Sequence, residues 1–298
     1  MTKTMNRRAL VAALSAGFAL PAWAQESGRP RTIRYASSPG VAADLQSLDL
    51  YGAPRADGVG RPIVAFIHGG GWRIGDKSNG GAGADKARVF TERGYLYASL
   101  NYRLSPAVQH PAHIEDVAAG LAWLLDNAAR FGGDPKRIAV MGHSAGAHLA
   151  ALATTDPRRL GRHGYRPRDL RGAILLDGAG YDLTRQAPAT IARGGFLGDA
   201  YAAAFGSDGA LWKDASPVWR IDPAQPPPPF LILHVPRPDA AMQSRMLAEA
   251  IRKAGSEATL IRADGESHSS INRGFGARGD VATDAAFAVL TRWGMGPG

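Results

Sequence analysis

The residues best suited to chemistry are those of Gly142-His143-Ser144-Ala145-Gly146, which match the pattern GxSxG. They follow an apolar run at 137–141 and open a stretch of helical character at 145–153. A strand, a sharp turn and a helix, with small residues flanking the serine, force a strained backbone at the turn and expose the hydroxyl. Ser144 is therefore read as a nucleophile. A second group, His68-Gly69-Gly70-Gly71-Trp72, follows the apolar run 63–67. Consecutive glycines let the backbone turn several N–H groups toward one point, as the oxyanion of an acyl-transfer intermediate requires. Gly70 and Gly71, together with the amide of Ala145, are assigned to that hole, and His68 to shaping the loop. A phosphate-binding loop is the competing reading, but no GxxxxGK[ST] follows.

A serine nucleophile needs a base, and around a nucleophile elbow the chain order is serine, acid, histidine. Beyond the elbow helix, His163 lies too close to it, and His234 ends an apolar run where a core histidine fits better. His268, in the polar stretch 263–272 after the last strand, is the base. The acid must hold the imidazole in one tautomer and stabilise its protonated form. Asp239, after the penultimate strand, is the expected acid. Asp177 and Asp182 are the alternatives, and Asp264 and Glu266 stand close enough to His268 to be loop-shaping residues.

These groups must be carried by a scaffold, and the chain supplies one. Short apolar runs at 63–67, 95–100, 137–141, 173–176, 230–234 and 258–261 alternate with segments of helical period. That alternation predicts buried strands joined by crossover helices into a mainly parallel sheet with helices on both faces. Ile114, Val117, Leu121, Leu124 and Ala128 recur at spacings of three and four and predict a helix over 111–130, stopped by Gly132-Gly133-Asp134-Pro135. Further helices are expected at 240–254 and 281–293, and antiparallel edge strands within 32–51. Residues 181–229, rich in glycine and aromatics, break the alternation; they read either as a surface excursion or as a partial lid.

Together with Asn101-Tyr102-Arg103-Leu104, Glu115-Asp116-Val117 and the Gly132–Pro135 turn, these motifs resemble the carboxylesterase and kynurenine-formamidase-like branch of the α/β hydrolases, near the hormone-sensitive-lipase group. The likeness covers roughly residues 45–275. It implies the α/β-hydrolase fold, a triad of Ser144, Asp239 and His268, and an oxyanion hole of Gly70, Gly71 and Ala145. Two departures stand out. Relatives usually carry His-Gly after the penultimate strand, whereas this chain has His234-Val235-Pro236-Arg237-Pro238 and a shortened link to the next helix. Kynurenine formamidases tend to carry tyrosine at the third glycine of the oxyanion loop, where Gly71 stands here. That favours esters over formamides, with an arylformamidase or amidase as the alternative and a non-catalytic small-molecule binder as the reading from another class.

Composition narrows the context. Residues 1–24 read as an export signal, with Lys3, Arg7 and Arg8 ahead of an apolar stretch and Ala22-Trp23-Ala24 as the cleavage site. The Arg7-Arg8 pair leaves the twin-arginine and general routes both open. Residues 25–298 are expected to form a single domain in an exported, periplasmic or secreted protein without stable membrane insertion. The formal charge of +9 falls to +6 once those three basic residues leave, too modest and too scattered for a nucleic-acid surface. The absence of cysteine excludes thiol catalysis. No metal and no organic cofactor are expected, and the partner is a small-molecule ester. Only residues 25–62 precede the first core strand, so little or no N-terminal cap is expected. The site should be open, with Trp72, Tyr181, Phe196 and Trp212 as pocket candidates.

Overall fold

The computed structural model describes residues 29–297, so the expected export signal lies outside the described residues. The apolar runs form strands where expected. In chain order the elements are β1 (Arg31–Arg34), β2 (Ser47–Tyr51), β3 (Arg61–Ile67), α1 (Ala84–Thr91), β4 (Leu96–Leu100), α2 (Ala112–Asn127), β5 (Gly133–His143) and α3 (Ala145–Thr155). They continue with α4 (Pro157–Gly161), β6 (Ala173–Leu176), α5 (Leu183–Arg193), α6 (Gly195–Phe205), α7 (Gly209–Asp214), β7 (Phe230–His234), α8 (Pro238–Lys253), β8 (Ala258–Arg262), α9 (Ser270–Arg273) and α10 (Val281–Arg292). Among the described residues, eight strands form one sheet in the order β1-β2-β4-β3-β5-β6-β7-β8. The strands from β4 to β8 run parallel, while β2 pairs antiparallel with both β1 and β4.

Two apolar layers sandwich this sheet, as strands buried on both faces require. One contains Ile67, Leu121, Val140, Leu149, Leu175 and Phe230. The other contains Phe66, Phe90, Met141, Leu176, Leu233 and Phe275. Alternate residues of each strand feed opposite layers. Helix α2 stops at Gly132, whose left-handed φ of 76° follows a short 3-10 turn. A Cβ there would lie 2.7 Å from Pro54, so glycine meets both the conformational and the steric demand.

Register fixes the site. Ile67 pairs with Gly142, and His143 with Leu176, so His68, Ser144 and Asp177 leave three adjacent strands side by side. That edge, at the C-terminal ends of the strands, is where parallel α/β sheets place ligands. A groove of about 350 Å³ between Arg168, Pro228 and Glu257 lies before β6 and β8, away from that edge. The sequence 181–229 forms an ordered helical layer: Tyr201, Ala204 and Phe205 of α6 are buried, and the carbonyl of Ala204 accepts the His110 N–H at 2.8 Å.

Helix α3 approaches the sheet closely. A Cβ at Gly146 would sit 2.0 Å from the Ile67 carbonyl oxygen, and one at Gly142 2.3 Å from that of Gly146. Gly146→Ala is expected to lower the melting temperature by many degrees. Gly161→Ala, which meets nothing within 4 Å, is expected to stay within about 0.5 kcal/mol of wild type in thermal unfolding.

Histidines give the fold a pH limit. His113 and His148 are buried, and desolvation pushes both down to about 3. Unfolded histidines titrate near 6.5, so between that pH and about 3 the unfolded chain binds protons that the native chain refuses. Stability is expected to fall steadily as pH drops below about 6.5; a melting temperature flat from pH 7 to 4 in calorimetry would contradict it.

Candidate active site

Ser144 sits between β5 and α3 with φ 54° and ψ −121°, a strained combination for a residue with a side chain. Its N–H donates to the Leu176 carbonyl at 3.1 Å, and its own carbonyl accepts the His148 N–H of the first helical turn at 3.1 Å. The turn is thus pinned to β6 on one side and to α3 on the other. Ala145 opens α3, so its N–H belongs to the donors a helix cannot satisfy internally.

His268 lies in the loop after β8. Its Nε2 accepts the Ser144 hydroxyl at 3.0 Å, while Nδ1–H donates to Oδ2 of Asp177 at 2.6 Å. Those two bonds fix the imidazole tautomer. Asp177, the first residue past β6, is fully buried and has φ 43°. Its Oδ1 accepts the Val235 N–H at 3.1 Å, and Oδ2 also accepts Arg237 Nη2 at 2.9 Å. Burial works to raise this carboxyl. The hydrogen bond from His268, the Arg237 charge and the Val235 N–H outweigh it and hold Asp177 below its ordinary value.

The expectation that Asp239 partners His268 is therefore corrected. Only Val235, Pro236 and Arg237 separate β7 from α8, so Asp239 falls in the first turn of that helix, with its side chain 53 % exposed and 4.0 Å from Arg237. A corner this short leaves no loop to fold back toward His268. Asp182 is elsewhere too: it precedes α5 and bonds Thr184 and Trp219. His163 is exposed beyond α4, and His234 closes on its neighbouring Val235 carbonyl.

The loop of Gly69, Gly70 and Gly71, expected to form the oxyanion hole, is tightly built. Gly70 has φ 111° and accepts the N–H groups of Arg73 and Ile74; a Cβ on it would meet the Ile74 carbonyl at 2.0 Å. Gly71 has φ 60°. His68 stacks on Tyr102 at 4.4 Å, bonds the Gly69 carbonyl through Nδ1, and is pushed down to about 4 by burial, so it shapes the loop as a neutral ring. A cleft of about 240 Å³ beside the loop is lined by Gly69, Gly70, Ile74, His143, Asn272 and Arg273, among others.

Of the four aromatic pocket candidates, Phe196 alone is largely open, 54 % exposed and over Gly71. Trp72 is instead a brace. Buried with φ 57°, it packs edge-on against Tyr201, Phe205 and His148, and its Nε1–H donates to His148 Nδ1 at 3.2 Å. His148 passes the tie on through Nε2 to the Ala215 carbonyl. Tyr181 is fully buried beneath Gly178, and Trp212 packs on the core with its Nε1 on the Gly206 carbonyl.

Three residues near Ser144, His268 and Asp177 escaped the sequence reading. His143, neutral because burial pushes it down to about 3, donates Nε2–H to the His268 carbonyl at 2.7 Å. Lys86, buried and pushed down to about 7 by desolvation, ties α1 to α9 through Gly81 and Asn272, just beyond His268. Arg237 reaches Asp177 from the β7–α8 corner. The shortened corner was the one visible signal for the last.

Comparison with known proteins fits this architecture. A family model described as BD-FAE matches residues 48–250. Esterase LipQ of Mycobacterium tuberculosis is 34 % identical over 217 residues, covering 70 % of this chain and 50 % of the relative. A probable isoprenylcysteine alpha-carbonyl methylesterase of Oryza sativa, ICMEL1, is 41 % identical over 121 residues, covering 41 % of this chain and 26 % of the relative. The chain thus spans half or less of the length of these curated relatives. Among solved structures, Thermogutta terrifontis esterase 2 phosphonylated by sarin superposes with a TM-score of 0.73 at 24 % identity, covering 92 % of this chain and 98 % of that one, a likeness of fold. With the family model spanning most of the sheet and the turn at Ser144, the chain belongs to the BD-FAE family and has the α/β-hydrolase fold.

Proposed function

We propose that the chain is a serine hydrolase that cleaves carboxylic esters through an acyl-enzyme, with Ser144 as nucleophile, His268 as base and Asp177 as acid. The observation that carries this reading is the continuous relay from the Ser144 hydroxyl through His268 to Asp177, at 3.0 and 2.6 Å. The names of the relatives point the same way.

In the proposed cycle, Ser144 Oγ attacks the ester carbonyl while its proton passes to His268 Nε2. Asp177 stabilises the imidazolium that forms. The N–H groups of Gly70, Gly71 and Ala145 receive the oxyanion; losing one such donor typically costs about 10²- to 10³-fold in rate. Collapse of the intermediate breaks the carbon–oxygen bond, and the alcohol leaves with the proton from His268. Water then repeats the attack on the acyl-enzyme, giving the acid and free Ser144. His143 stays neutral across the working range and steadies the backbone of the base without competing for its proton.

The substrate side is open. Phe196 stands exposed over Gly71, and Ile74 is exposed at the other end of the loop. This supports short-chain or aryl esters of small molecules as substrates. The proposal extends to a single domain over residues 25–298, exported after cleavage of residues 1–24.

Hydrolysis of p-nitrophenyl esters from acetate to decanoate, beside N-formylkynurenine, tests the reading. Short esters are expected to be turned over best, and Ser144→Ala to remove at least 10³-fold of kcat. Formamide turnover alone would replace esterase by arylformamidase, and turnover indifferent to Ser144 would end the serine-hydrolase reading.

The acid is tested separately. Asp177→Asn is expected to lower kcat by at least 10²-fold, since the imidazole loses both its tautomer and its counter-charge. Asp239→Asn should stay within about twofold, as an exposed carboxylate outside the relay. The reverse ranking would return the role to Asp239.

A further inference from the structure

We propose that Arg237 sets the pH at which the base becomes active, by sharing with His268 the single carboxylate oxygen that the imidazole leans on. The inference rests on Asp177 as the triad acid. It begins in the corner between β7 and α8, where three residues leave no slack. Arg237 immediately precedes α8 in extended backbone, with its N–H on the Val235 carbonyl at 2.7 Å, so its side chain is aimed by strand and helix together. Nη2 donates to Oδ2 of Asp177 at 2.9 Å, the same atom that takes His268 Nδ1–H at 2.6 Å. The second carboxylate oxygen is occupied by the Val235 N–H.

An Arg–carboxylate pair usually forms a fork with both oxygens. Here the fork is not made: only Nη2 reaches Asp177, Nε is buried with no hydrogen-bond partner, and Nη1 lies 4.0 Å from Asp239. The geometry sacrifices one donor to put a cation beside the oxygen that serves the base.

The consequence follows from the sign of the charges. Asp177 stabilises the protonated imidazole, and a guanidinium on the same oxygen draws off part of that negative field. The base therefore releases its proton at lower pH than it would beside an unshared carboxylate, and the enzyme stays active in more acidic solution. The other groups facing His268 leave this arrangement in charge. His143, whose ring lies 4.6 Å away, stays neutral. Lys86 is buried on the α1 side and held by Asn272, Glu266 in the same loop is bonded to Ser270, and Asp264 faces Arg262. Asp239 faces Arg237 across 4.0 Å at 53 % exposure, where solvent screens it.

The test is the acidic limb of kcat/KM against pH on p-nitrophenyl acetate, for wild type, Arg237→Gln and Arg237→Lys, each with its Ser144→Ala counterpart as blank. The limb reports the free enzyme's base. In Arg237→Gln it is expected to move up by about 0.5 to 1 pH unit, the lower range for a charge within hydrogen-bonded reach. Arg237→Lys, which keeps the charge, should hold the limb within about 0.3 unit of wild type. Arg237→Met, neutral with a similar aliphatic stem, repeats the measurement if the Gln variant melts early. An unmoved limb in the neutral variants, with turnover still dependent on Ser144, would overturn the inference and leave the esterase reading intact. Activity indifferent to Ser144 would instead remove the reading on which it stands.

Discussion

Everything at the C-terminal edge of the sheet depends on how closely α3 can approach the strands. Gly146 lies where a methyl group would fall inside the Ile67 carbonyl oxygen, and Gly142 lies equally close to Gly146. This crossing brings the N-terminus of α3 to the ends of β3 and β5. It also forces the left-handed backbone at Ser144, because a chain leaving β5 has no room for a wider turn into the helix. Gly69 continues the constraint, since its Cα faces the Ser144 side chain with 3.1 Å left for a Cβ. The strain at the serine and the glycines around it are one packing problem with one solution.

The strands and the elbow were legible because their signals are local. Continuous apolar runs mark 173–176 and 230–234 with the boundaries the structure has, and GxSxG marks its own turn. The helical layer over 181–229 was not legible as such. Glycines at 194, 195 and 206 interrupt the helical period, and Pro188 sits inside α5, so the helices are set by burial of Tyr201 and Phe205 against Trp72 more than by their own propensity. Trp72 likewise reads as a wall residue in sequence, because its neighbours come from α6, more than a hundred residues away.

The carboxylate that meets His268 differs from the expected Asp239 for a more instructive reason. Position along the chain suggests the corner after β7, and Asp239 stands there. What sequence order does not carry is the length of chain needed to turn an acid back toward the base, and here the corner has none to spare. Asp177 needs no such loop. It leaves β6 directly beside Ser144, and the adjacent strand offers its Val235 N–H to the carboxylate. Shortening the corner and moving the acid one strand inward are two sides of the same arrangement.

The aromatic joint of Trp72 with Tyr201, Phe205 and His148 holds the later turns of α6 and leaves its first turn outside the joint. Tyr201 and Phe205 in those later turns are buried, whereas Phe196 and Leu197 in the first turn are about half exposed. Variation at the first turn is thereby uncoupled from the packing that holds Trp72. Exchanges at those two exposed positions leave the Trp72 joint untouched, so the first turn of this helix is where the surface beside Gly71 can vary in descendants of this chain.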